Sequence, residues 1–222
     1  MIKAVIFDMD GTLIDSVGLH AEAWREALAH FGHDVPFEKV REQIGKGGDL
    51  LMAALLPEEE VRRRGEEIEA YRLDLFKREY LARVRPFPSV RELFERIGAD
   101  GLRIALASSA KKEELGRYKQ IAGIDDLPEA ETSSDDAERS KPHPDIFEAA
   151  LDRLDGIEAG DAIAIGDTPH DAQAAGAAGL RTIGLLGGGW TEAALREAGC
   201  IAIYRDPADL LRHYDQSPLA RR

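Results

Sequence analysis

The feature that most limits how this chain can fold is a set of short apolar runs spaced far apart. They are Ala4–Phe7, Ile104–Ala107, Ala162–Ile165, Thr182–Leu186 and Ile201–Tyr204. A strand with one wet face alternates apolar and polar residues, whereas a nearly continuous apolar strand must be covered on both faces. Helical patterns lie between the later runs. Pro144–Leu154 places Ile146, Phe147, Ala150, Leu151 and Leu154 at helical spacing, with its proline in the first turn. His170–Ala178 and Thr191–Ala198 each meet a glycine just beyond their ends, Gly179 and Gly199. Strands alternating with helices predict an α/β fold, a doubly wound parallel sheet with helices on both faces.

One region breaks this rhythm. From Ser16 to about Arg85 no strand is evident. Val17, Trp24, Leu28 and Phe31 form one helical stripe, stopped by Gly32. Asp49 is placed to cap a second helix over Leu50–Leu56, ended by Pro57, and Val61, Ile68, Tyr71 and Leu75 trace a longer, highly charged one. The expected organisation is a catalytic core of residues 1–15 and 86–222 interrupted by a helical subdomain at 16–85. "RPFPS", residues 85–89, marks the return to the core. Gly187–Gly189 reads as a flexible loop with Trp190 packed over it, and "DQSPLARR", residues 215–222, as a frayed tail.

Composition narrows the partners. A formal charge of −13 opposes nucleic acid, whose phosphates the overall field would repel. A small anionic substrate then needs a local cation. No apolar stretch is long enough to span a bilayer, and the N-terminus opens on strand-like residues rather than a basic region and apolar segment. The single cysteine, Cys200, provides no intramolecular disulfide framework. Together these lead to the expectation of a cytoplasmic protein with no membrane or obligate protein partner.

The chemistry begins at "KAVIFDMDGTLIDS", residues 3–16. Asp8 falls at the end of the first strand, the sheet edge where α/β proteins bind ligands. Asp10 follows two residues later, and Gly11 allows a tight turn whose N–H groups suit an anion. Two carboxylates about 4 Å apart repel by roughly 4 kcal/mol at an effective dielectric near 20, so a proton or a cation must offset them. A solvated loop would explain this pair alone. However, "LRIALASSA" ends another strand in Ser108 and Ser109, "SKPHPDIF" sets Lys141 before a helix, and "AIAIGDTPHD" ends a third strand in Asp167 with Asp171 four residues on. Capping and solvation would have to account for each of these separately, although all of them are predicted at one edge of one sheet.

Together these residues resemble the haloacid dehalogenase superfamily in its phosphatase branch, with "DMDGTLIDS", Ser108, Lys141 and "GDTPHD" standing as its four motifs. The resemblance covers almost the whole chain and includes a helical insert where this family carries a C1-type cap on a Rossmann-like core. It implies that Asp8 is the nucleophile, forming an aspartyl-phosphate, and that Asp10 protonates the leaving alcohol and then activates water. It further implies Mg²⁺ held by Asp8, the carbonyl of Asp10 and Asp167. Lys141 pairs with a phosphate oxygen and Asp8, and Ser108 and Ser109 face the transferring group. Thr12 orients Asp10, and Asp171 supports the metal ligands from behind. An EF-hand loop also begins Asp-x-Asp, but its twelfth position here is Leu19, not an acid.

"HAEAWREAL", residues 20–28, resembles the first cap helix of β-phosphoglucomutases and related sugar-phosphate phosphatases, with His20 near the hinge. "IGKGGDLL", residues 44–51, is similar to the cap loop that selects substrate, offering Lys46 and Gly47. A polar helix residue and a glycine-rich connector remain equal readings of these two stretches. The leading functional expectation is a Mg²⁺-dependent phosphatase of a small phosphorylated metabolite, of phosphoglycolate or sugar-phosphate type. The alternatives are a phosphomutase with the same intermediate and a signalling receiver module, which would be shorter and lack the insert.

Overall fold

The five apolar runs all lie in a single six-stranded sheet. In the computed structural model, which describes residues 1–220, its strands are β1 (Ala4–Phe7), β4 (Arg103–Ala107), β5 (Ala130–Thr132), β6 (Ala162–Gly166), β7 (Arg181–Leu185) and β8 (Cys200–Tyr204). The spatial order is β5-β4-β1-β6-β7-β8, and all neighbours pair in parallel. β1 lies between β4 and β6, with Phe7 opposite both Leu106 and Ile165. The chain builds outward from β1 in one direction and then in the other, so the topological switch point lies at β1, where α/β sheets place their ligands. A separate short antiparallel pair joins β2 (Ile14–Asp15) to β3 (Arg85–Pro86).

Alternation along β1 explains why all of it is buried. Ile6 belongs to an apolar cluster with Ala164, Phe147 of α7 (Asp145–Asp152) and Ala174 of α8 (Pro169–Ala177). Phe7 points to the opposite face and stacks on Phe94 of α5 (Val90–Ala99), with ring centroids 4.7 Å apart. The sheet unit is completed by α6 (Lys112–Ala122), α9 (Glu192–Glu197) and α10 (Pro207–Arg212).

The chain divides into two compact units, Met1–Asp15 with Arg85–Arg222, and Ser16–Val84. The second unit is helical. It comprises α1 (Val17–His30), α2 (Phe37–Arg41), α3 (Gly48–Leu55) and α4 (Glu58–Leu75), which runs on into a wider turn at Phe76–Tyr80. Val17, Ala21, Trp24 and Leu28, spaced three or four apart on α1, pack with Val40, Leu51, Met52 and Ile68 into its core.

Three expectations change. Asp49 does not cap α3: the helix starts two residues earlier, at Gly48 with Gly47 as its cap, and Asp49 sits in its first turn, where a carboxylate favours the helix dipole. The tail is not frayed over residues 215–220. Ser217 and Leu219 are buried, and the Ser217 hydroxyl accepts a hydrogen bond from the Leu219 amide at 3.2 Å. Residues 221 and 222 lie outside the described residues. Gly187 and Gly188 belong to a single turn of 3₁₀ helix, Leu186–Gly188, with Gly188 buried and Gly189 as its C-cap, rather than to a flexible loop. Leu219 in place gives a direct check. Leu219→Ala should lower stability by about 2–5 kcal/mol, read as a fall in the urea midpoint at unchanged slope; an unaltered midpoint would mean that the tail does not dock.

Candidate active site

The edge of the sheet at the carboxyl ends of β1, β4 and β6 brings four sequence segments together. The Asp8 amide donates to the Ile165 carbonyl at 2.8 Å, extending the β1–β6 ladder by one residue and fixing where its side chain leaves the strand. The chain then closes on itself. The Met9 carbonyl accepts from the amides of Leu13 and Ile14, and the Gly11 amide donates to the Ile14 carbonyl at 2.8 Å. That closure takes φ of Gly11 to 78°, a left-handed value that a residue with a Cβ adopts only under strain.

Lys141 holds the centre. Its side chain is 1% exposed; the ammonium donates to Asp8 Oδ1 at 2.6 Å and to the Ala107 carbonyl at 3.0 Å, and it forms an ion pair with Asp171 Oδ1 at 2.8 Å. The other Asp171 oxygen accepts from the Thr168 hydroxyl at 2.7 Å and the Thr168 amide at 3.0 Å, forming the capping box that starts α8. Asp171 therefore has a positive or donor group near each oxygen, Oδ1 through the ion pair with Lys141 and without a hydrogen bond. Asp167 does not. Its Oδ1 accepts from the Thr12 hydroxyl at 2.9 Å, whereas its buried Oδ2 has no hydrogen-bond partner.

The electrostatics follow from this sharing. Burial pushes the Asp8 carboxyl up to about 7; Lys141 opposes the rise, and Asp171 and Asp10 add to it. Burial likewise raises Asp167 well above the carboxylate range, with Asp171 and Asp8 contributing. Burial would raise Asp171 too, but Lys141 and the Thr168 hydrogen bonds outweigh it and hold Asp171 low. Burial disfavours the charged form of Lys141, yet Asp171 and Asp8 prevail and raise it. The one ammonium thus satisfies Asp171 first and leaves Asp8 and Asp167 short of positive charge.

That shortfall suits a hard divalent cation. Ligand oxygens of Asp8, Asp167 and Asp171 lie within 4.8 Å of one another. Asp171 Oδ1 is ion-paired with Lys141 and its Oδ2 is bonded to Thr168, whereas Asp167 Oδ2 has neither kind of partner and is the oxygen most open to such an ion.

The predicted residues divide into two groups. Asp8, Thr12, Lys141, Asp167 and Asp171 are linked by direct contacts. The Thr12 hydroxyl goes to Asp167 and comes within 3.3 Å of Asp8 Oδ2, so it ties these two acids. Asp171 lies against Lys141 as an ion pair. Asp10 is half-buried in the turn. Ser108 is fully buried at the end of β4, and its hydroxyl oxygen accepts from the Ala110 amide at 3.1 Å, leaving its proton to donate. Ser109 is half-buried beside it. Within the helical unit, His20 stacks on Phe76 at 4.0 Å, Lys46 Nζ donates to Gln43 Oε1 at 2.6 Å, and Gly47 caps α3. The sequence reading missed Thr168 and the close packing at Gly187 and Gly188. A Thr two residues before the helical run and three before Asp171 was the available signal for Thr168.

These shifts set a sign for pH dependence. With metal chelated, folded Asp8 and Asp167 keep protons that the unfolded chain has already released above pH 4, so stability falls as pH rises from there through about 7. Asp8→Asn should make that decline shallower, measured as the urea midpoint between pH 4.5 and 7.5. An equally steep decline would contradict the assigned cause.

Residues 2–179 match the model of a family described as haloacid dehalogenase-like hydrolase. The chain is 33% identical over 192 residues to a phosphoglycolate phosphatase of Yersinia pestis, covering 84% of this chain and 82% of that protein. It is 28% identical over 216 residues to a phosphorylated carbohydrates phosphatase of Thermotoga maritima, covering 95% and 97%. The crystal structure of a hydrolase from Pseudomonas syringae superposes with a TM-score of 0.87 at 28% identity, over 96% of this chain and 98% of that one. On the strength of the matched family model, the relatives and the fold they share, this chain belongs to the haloacid dehalogenase-like hydrolases.

Proposed function

We propose that the protein is a Mg²⁺-dependent phosphatase that hydrolyses a small phosphate monoester, of phosphoglycolate or sugar-phosphate type, through a phosphorylated Asp8. The observation that carries this reading is the buried contact of Lys141 with Asp8 at 2.6 Å, in a group of carboxylates that includes the half-satisfied Asp167. Relatives named for phosphoglycolate and for phosphorylated carbohydrates support the substrate class.

In this mechanism an Asp8 carboxylate oxygen attacks phosphorus as the ester P–O bond breaks, and Asp10 gives its proton to the departing alcohol oxygen. Asp10, now a carboxylate, takes a proton from water as that water attacks phosphorus, which releases inorganic phosphate and returns Asp8. Lys141 neutralises a phosphoryl oxygen and holds Asp8 in line, and the Ser108 hydroxyl donates to the transferring group. Mg²⁺, held by Asp8, Asp167 and the Asp10 carbonyl, supplies further neutralisation of phosphate charge when bound. Thr12 keeps Asp8 and Asp167 in register, and Asp171 fixes the direction of the Lys141 ammonium. Residues 16–84 are read as a cap that selects the substrate, with Lys46, Gly47 and His20 as its contacts.

A phosphate-release screen over small phosphorylated metabolites tests this most broadly. Hydrolysis should occur with Mg²⁺, cease in chelator and return when Mg²⁺ is restored. Asp8→Asn should drop turnover to background while the protein stays folded. Near wild-type release from that variant, or activity that survives chelation and dialysis, would refute the mechanism. Sugar-phosphate isomerisation without phosphate release would instead identify a phosphomutase.

A further inference from the structure

The 3₁₀ turn that follows β7 packs against both acid-bearing loops through backbone alone. A Cβ on Gly187 would stand 2.3 Å from the Gly11 carbonyl oxygen and 2.8 Å from the Phe87 ring. A Cβ on Gly188 would stand 1.7 Å from Asp167 Oδ2 and 2.7 Å from its carboxyl carbon. Side-chain carbons do not approach other atoms this closely, so something would have to move. Of the three consecutive glycines, only Gly189 has a positive φ. The backbone at Gly188 would therefore accept alanine, and what forbids a side chain there is the Asp167 carboxylate.

We propose that Gly188 is a positioning residue for Asp167: its bare backbone is the floor on which Oδ2 rests while Thr12 anchors Oδ1, so that β7 helps to aim this carboxylate. Gly187, pressed on the Gly11 carbonyl, sets the same turn against the loop that carries Asp8 and Asp10. The pair thereby registers the loop after β1 against the loop after β6. An alanine at 188 must push the carboxylate more than an ångström aside, and the 2.9 Å Thr12–Asp167 hydrogen bond cannot survive that shift. The disturbance then passes through Thr12 to the Asp8 loop. This inference rests on the reading of Asp167 as a metal ligand, and the experiment separates the two.

Mg²⁺ affinity by calorimetry and the urea midpoint of the metal-free protein would be measured for wild type, Gly188→Ala, Asp167→Ala and the double variant, with Gly187→Ala in both backgrounds. Gly188→Ala should weaken Mg²⁺ binding by about tenfold or more, the range found when a ligand's supporting partner is lost, and should lower the midpoint. In the Asp167→Ala background the added Gly188→Ala should lower the midpoint far less, because the carboxylate is gone and only the Cβ of residue 167, at 3.2 Å, remains close. Gly187→Ala should lower it in both backgrounds, since its contact is with Gly11. Wild-type Mg²⁺ affinity in Gly188→Ala, or the same midpoint loss in both backgrounds, would overturn the proposal. Should Gly188→Ala fail to fold, a folded double variant gives the supporting result and an unfolded one the opposing result. Wild-type Mg²⁺ affinity in Asp167→Ala would instead remove the metal-ligand reading, and the midpoints alone would then judge the steric one.

Discussion

The architecture of the site depends on one buried ammonium that serves too many carboxylates. Lys141 hydrogen-bonds Asp8 and the Ala107 carbonyl and is ion-paired with Asp171. A buried charge is tolerable only when it is paired and hydrogen-bonded, and these contacts pair the lysine with two carboxylates. Asp167 keeps an unpartnered Oδ2, and burial leaves both Asp8 and Asp167 short of positive charge. The sheet edge is thus left electrostatically unfinished, with two acids held where positive charge is needed. An enzyme that must bring an anionic nucleophile to an anionic substrate gains from such a surface, because the stabilisation is withheld until substrate and ion arrive.

The fold supplies the geometry cheaply. β1 lies at the centre of the sheet, so the residue that follows it is braced on both sides, by β4 and β6. Asp8 is one hydrogen bond beyond the strand and has little freedom. Asp167 leaves the neighbouring strand β6 in the same direction, and parallel pairing sets the spacing of their backbones. Asp171 is fixed differently, by the capping box that begins α8, so the residue that starts a helix also orients the lysine. Rigid elements carry the acids, and only short turns lie between them.

Much of this is legible in the sequence because it depends on local pattern. Continuous apolar runs foretell strands covered on both faces, and the acids mark the ends of those strands. β5 escapes because Ala130–Thr132 is short and polar, and it is held by pairing with β4 rather than by an apolar run of its own. α5 carries Val90, Leu93, Phe94 and Ile97 at helical spacing, so its signal was present but not used. Other features need three dimensions. Thr12 reaches Asp167, a residue 155 positions away. Leu219 is buried although no run of large apolar residues surrounds it. Gly188 looks like any loop glycine until the Asp167 carboxylate is seen resting on it.

The central claim is that Asp8 and Asp167 share a divalent cation while Lys141 serves Asp8 and Asp171. Anomalous diffraction from crystals soaked in Mn²⁺, a stand-in for Mg²⁺, addresses it most directly. The account predicts a single strong peak bonded to carboxylate oxygens of Asp8 and Asp167, with Lys141 still joined to Asp171. A peak coordinated by Asp171 in place of Asp167, or no peak near Asp8 at saturating ion, would contradict it.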